Sequence, residues 1–233
     1  MNLLRSLFGS SLGRKFLMAA TGLVLFGFVT GHLLGNLQIF LPPEKINLYG
    51  HMLESLGAGL WLIRLFLLAC VLVHIWLAIQ LTLENRAARP QDYGVEHISR
   101  ATLASRLMAR TGIVVLAFLL FHLAHFTVRV GNPQWSEHSF ALHDGTKVRD
   151  VHAMMVQGFS NVPVSVFYII AVGLLGYHLA HGIVSMVQTL GLKNEQWTRG
   201  LERFAIAYCW GYFLINAAIP VAILLGRVPL IHS

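Results

Sequence analysis

Carboxylates are missing from this chain wherever it is most apolar. Of its 233 residues only 12% are charged, whereas 56% are hydrophobic. A soluble domain carries about a quarter charged residues. The deficit argues against a water-soluble globule and for a polytopic, all-α integral membrane protein. The long apolar runs hold no Asp or Glu, which argues against a transporter that works through an acidic proton relay. Cysteine is as scarce: Cys70 and Cys209 both lie inside apolar runs, which leaves no disulfide framework and no cysteine-held cluster. No HExxH zinc motif occurs, and nothing resembles a flavin-binding segment.

What is present is length in the apolar direction. A span needs about 20 apolar residues at 1.5 Å each. Five runs qualify, roughly 16–40, 60–83, 107–130, 163–189 and 204–226, within one membrane domain over 1–233. The N-terminal run is too long for the apolar part of a signal peptide and is read as a retained helix. Residues 2–13 form a candidate interfacial helix. The net charge of +7 needs no nucleic acid, because it follows the spans. Eleven Lys and Arg fall on one side and five on the other, with Arg64 inside the second run. By the positive-inside rule the N-terminus is cytoplasmic and the C-terminus outside. The longest outer connection, about 131–162, contains VHAMMVQGF, a candidate short helix lying on the surface.

Histidine is the unexpected residue. Six of the twelve (His51, His97, His138, His143, His152 and His232) fall in connections or at the C-terminus and read as solvated. The others are His32 in the first span, His74 in the second, His122 and His125 in the third, and His178 and His181 in the fourth. Ionisable groups inside a bilayer are costly and are functional candidates. Counted from the inner basic residues, His32 and His122 lie about 24–26 Å up their helices, and His74 and His178 about 18–22 Å. The first and third spans thus offer one pair, nearer the outer face, and the second and fourth another. Two imidazoles on facing helices suit one metal or haem iron between them. Gly22, Gly27, Gly31 and Gly35 around His32, and Gly173, Gly176 and Gly182 around His178, allow close helix approach or leave room for a flat macrocycle. No internal repeat is obvious beyond the histidine pattern.

GHLLGN around His32, VHIWLAIQ around His74, RTGIVVLAFLLFH leading to His122 and YHLAHGIVSMVQTLGL around His178 resemble the cytochrome b membrane-anchor subunit of succinate:quinone oxidoreductases. The resemblance is to the single-chain type with five helices and two haems b, and it covers nearly the whole chain. It implies His32 with His122 as axial ligands of the outer haem and His74 with His178 of the inner one. It implies two partners on the cytoplasmic side, a flavoprotein subunit and an iron–sulfur subunit, and a bacterial cytoplasmic membrane. Higher oligomers are compatible with it.

In each HLAH the family pattern favours the first histidine as ligand. His125 and His181 then contact a haem propionate or a backbone carbonyl, pack as satisfied core residues, or exchange roles with their neighbours. Glu54, in HMLESLG before the second span, matches the family's quinone-site carboxylate and is the candidate for proton transfer. Arg64, Arg106 and Arg110 are candidate propionate partners, against snorkelling or inner anchoring. Moving an electron outward across an inside-negative membrane is downhill by about 2.3 kcal/mol per 100 mV, which would help reduce a low-potential quinone such as menaquinone. Three other functions fit less closely. They are a quinol:fumarate reductase anchor, a stand-alone transmembrane cytochrome b, and a histidine-lined metal transporter.

Overall fold

A computed structural model describes residues 7–87 and 100–230, with the side chains of 100–107 outside the description. Helix α1 runs Ser11–Asn36 and a 3-10 turn, Leu37–Phe40, extends it. Then follow α2 (Pro43–Ser55), α3 (Ala58–Ala87), α4 (Arg100–His122), a π-turn (Leu123–Val128), a 3-10 turn (Pro133–Ser136), β1 (Ser139–Ala141), β2 (Lys147–Arg149), α5 (Val151–Phe159), α6 (Val162–Thr189) and α7 (Glu195–Leu224). Among the described residues five helices are long and apolar enough to cross a membrane: α1, α3, α4, α6 and α7. Helix is what a lipid-facing segment must form, since it satisfies every backbone group internally. The protein is therefore an all-α, multi-pass membrane protein. Its large exposed side chains, such as Trp61, Leu62, Leu65, Phe66 and Leu72 on α3, are those a hydrocarbon solvent accepts.

By contact the chain forms two compact units, each built from three stretches. Unit one takes in Met1–Phe28, Ile63–Ile113 and Tyr177–Cys209. Ile183, Leu201 and Ala205 are its buried cluster, with Phe26 and Tyr208 packed on it. Arg14 joins α1 to α3 through an ion pair of 2.5 Å with Glu84. Residues 2–13, expected as an interfacial helix, are described only from residue 7, and 7–9 are helical.

Unit two takes in Val29–Leu62, Val114–Gly176 and Trp210–Ser233. Its core is larger and includes Ile39, Ile46, Met155, Val156, Phe159, Tyr168, Ile219 and Ile223. The segment VHAMMVQGF is helical as expected, but it does not lie on the surface. His152, Ala153, Met155, Val156, Gly158 and Phe159 of α5 are buried. The reason is polar as well as apolar. Asp150 caps α5 by accepting from Ala153 N–H at 2.8 Å, and it also accepts from Asn47 Nδ2 at 3.2 Å. Asn47 in turn accepts from His152 N–H at 3.0 Å, so α2 and α5 share one buried network. His152, expected to be solvated, is only 3% exposed. The β1–β2 hairpin pairs Phe140 with Val148, and His143 N–H donates to Glu44 on α2 at 3.0 Å.

Asp150→Ala removes a cap and a buried acceptor together, and should cost about 1–3 kcal/mol, read as a lower melting temperature in detergent. Asp150→Asn, which still accepts, should lose less. Burial lowers the His152 pKa and the neighbouring Asp150 partly offsets this. A ring kept neutral in the fold takes its proton more readily in the unfolded chain. Its contribution is thus complete above about pH 6.5 and fades as the pH falls below that. His152→Gln should therefore flatten the acid-side decline of the melting temperature.

Candidate functional site

Each unit gathers one of the two expected histidine pairs. In unit two, α1 supplies His32 and α4 supplies His122, with ring centroids 5.8 Å apart and planes at 83°. Two metal–nitrogen bonds of about 2 Å, end to end with the near halves of two rings, span roughly 6 Å between centroids. Two imidazoles at this spacing could both reach one metal ion placed between them. Beside it, a Cβ added to Gly31 would meet nothing within 4 Å, so this glycine leaves room instead of drawing helices together.

Tyr168 on α6 organises the far side of this pair. Its hydroxyl lies 3.4 Å from His122 Nδ1 and 3.1 Å from His125 Nδ1. The wide π-turn that follows His122 brings His125 to the same hydroxyl. Such turns within helices often mark functional positions. His125 also packs on Phe126 at 4.2 Å and Trp135 at 5.4 Å between centroids. Gly158 on α5 makes this possible, since a Cβ there would stand 2.7 Å from Phe126 Cε1 and 3.3 Å from His125 Cε1.

In unit one, α3 supplies His74 and α6 supplies His178, within electrostatic range of each other. His74 Nδ1 lies 3.1 Å from Thr21 Oγ1 on α1. His178 Nδ1 lies 3.3 Å from Thr111 Oγ1 on α4. Each hydroxyl also bonds back to its own helix, Thr21 to Leu17 O at 2.8 Å and Thr111 to Met108 O at 3.1 Å. The next residue in both cases is glycine, facing the same ring: Gly22 toward His74 Cε1 and Gly112 toward His178 Cε1. His181, the other member of the second HLAH, places Nδ1 3.3 Å from Tyr177 O in its own helix.

The two threonines and Tyr168 escaped the sequence reading, although the threonines left a signal. Residues 17–33 and 107–123 align without a gap at an offset of 90. Leu17, Met18, Ala19, Thr21, Gly22, Val24, Phe28, His32 and Leu33 recur as Leu107, Met108, Ala109, Thr111, Gly112, Val114, Phe118, His122 and Leu123. The chain therefore does contain a repeat, Thr-Gly-x9-His, on its first and third spans. A second overlooked pattern leads nowhere: GSSLG at 9–13 has nucleophile-elbow spacing, but among the described residues no strand precedes it. That motif needs a strand-to-helix turn.

Glu54 stands in the last turn of α2, a separate short helix that precedes the second span. It forms an ion pair of 2.7 Å with Arg149. Arg129, at the end of the π-turn with φ +63°, feels both of these charges. Its Nε and Nη1 are buried without a hydrogen-bond partner. Arg64 and Arg110 are exposed on α3 and α4, and Arg106 lies outside the described side chains.

The donor set fits haem better than a bare ion. Among the described residues no three of His, Cys, Asp or Glu gather to hold a metal. The donors come in pairs, with His74, His122 and His178 engaged at Nδ1. Their Nε2 atoms would be the ones to hold a haem iron, and Arg129, with Nε and Nη1 unpartnered, carries the charge that an anionic group such as a propionate would need. Comparison with family models, curated proteins and solved structures found no match.

Gly158→Ala should cost about 1–3 kcal/mol, because Phe126 and His125 must both move. Gly112→Ala, whose Cβ would rest 3.7 Å from His178 Cε1, should be nearly neutral by the same thermal assay.

Proposed function

We propose that this chain is the di-haem cytochrome b anchor of a succinate:quinone oxidoreductase, linking a cytoplasmic iron–sulfur subunit to membrane quinone. One observation carries the reading: the first four spans pair His32 with His122 and His74 with His178, a ring spacing of 5.8 Å being seen in the first pair. Haem held by these histidines would supply a one-electron couple suited to electron transfer. The chain's own part is to hold imidazoles neutral and in place, and to exclude water from them. Apolar side chains and the aromatic group of Phe118, Phe126 and Tyr168 do the latter around His122.

The dicarboxylate chemistry belongs to the flavoprotein subunit, since this chain has no group for it. Glu54, side chain 40% exposed and held by Arg149, is the residue proposed to exchange protons with a quinone such as menaquinone on the outer side. The charge asymmetry supports a bacterial cytoplasmic membrane with the N-terminus inside. The reverse reaction, fumarate reduction, would use the same residues.

The first test is the reduced-minus-oxidised visible spectrum of the purified chain, with haem counted per polypeptide. Two low-spin haems b are expected. His32→Ala or His122→Ala should each remove one haem, and His74→Ala or His178→Ala the other. A colourless protein would end the electron-transfer reading.

A further inference from the structure

We propose that Thr21 and Thr111 are the positioning residues of the His74–His178 pair. Each hydroxyl holds one imidazole with its proton on Nδ1, so that Nε2 presents a lone pair to iron. The inference rests on the di-haem reading and adds to it two residues that touch no iron and no substrate.

The argument is about where each proton goes. A threonine in a helix commonly donates its hydroxyl proton to a carbonyl one turn back. Thr21 does so to Leu17 O at 2.8 Å, and Thr111 to Met108 O at 3.1 Å. A hydroxyl has one proton and two lone pairs. With the proton committed, Oγ1 faces Nδ1 as an acceptor, and Nδ1 must be the protonated nitrogen. The opposite tautomer would place an unpartnered N–H on Nε2 in a medium without water, where an unpaired polar group is expensive. Accepting from Nδ1–H also makes the imidazole a stronger donor at Nε2.

Two features make this a device and not a coincidence. It occurs twice, on different helices, with Nδ1 to Oγ1 distances of 3.1 and 3.3 Å. It also lies within the repeat, where glycine follows each threonine and faces the ring of the partner helix. Eleven residues are three helical turns to within about 20°. Thr21 and His32 therefore share one helix face, as do Thr111 and His122. Each repeated helix gives its own histidine to one pair and a hydroxyl to the other.

The test uses the full-length chain, with each haem followed by potentiometric titration and by low-spin electron paramagnetic resonance. Thr21→Val and Thr111→Val keep shape and delete the acceptor. Each should shift one haem's reduction equilibrium about tenfold toward the ferrous state, about 59 mV for one electron. The other haem, held through Tyr168, should not move and reports that the variant is folded. Thr→Ser at either site should restore the original potential. Unchanged potentials and resonances in both valine variants would overturn the proposal, as would equal shifts in both haems. If valine costs both haems, Ala and Ser variants decide: Ser retaining the original potential while Ala shifts supports it, and the two agreeing overturns it. A wild-type chain without haem is a different result, which removes the di-haem reading itself.

Discussion

A neutral imidazole inside a bilayer has two nitrogens to satisfy and no water to satisfy them. The surroundings of His74, His122 and His178 follow from that. If Nε2 is reserved for a ligand, Nδ1 needs a protein acceptor at fixed depth and angle. An acidic acceptor would add a buried charge, whose desolvation is costly. A hydroxyl already bonded to its own helix is neutral, short and rigid. A tyrosine hydroxyl reaches farther and can serve two rings at once. The chain uses the first solution for His74 and His178 and the second for His122.

The two solutions imply different surroundings. The threonine acceptors sit on the helix surface, and the glycine beside each faces the ring without crowding it. Tyr168 is 5% exposed and stands among Phe118, Phe126 and Phe159, so its hydroxyl is held by a packed aromatic group. That group depends on α5, which supplies Phe159 and the glycine that makes space for Phe126. A connection between spans thus becomes part of the support for a ring inside one. The buried Asn47–Asp150 network then matters beyond α5 itself, because it fixes the helix on which the aromatic group leans.

How far the sequence showed this depends on the physics of each element. The five spans were legible because apolar length is a property of the chain alone. The histidines were legible because they are out of place there. Helix α5 was visible as a helix but not as a buried one, since its apolar residues look the same whether they face lipid headgroups or α2. Glu54 precedes the second span in sequence, but an apolar run does not mark that it ends a helix of its own, closed by the turn at Gly57 with φ +53°. Tyr168 was invisible, because nothing in a one-dimensional pattern joins it to a histidine 46 residues earlier. The threonines were overlooked for another reason: in a span, threonine back-bonds to its own helix and draws no attention.

The repeat explains why the symmetry stops where it does. Helices α1 and α4 must each present a hydroxyl and a histidine along one face, and a separation of eleven residues, about three helical turns, meets both requirements. Helix α3 owes only the ring of His74, whereas α6 owes the ring of His178 and the hydroxyl of Tyr168, and His74 and His178 stand 104 residues apart, off the 90-residue offset. With a single fixed position, the rest of α3 is free to meet lipid, and much of it does: Trp61, Leu62, Phe66 and Leu72 are all more than half exposed. Constraint on sequence therefore tracks the number of polar atoms a helix must place, and not its length or its hydrophobicity.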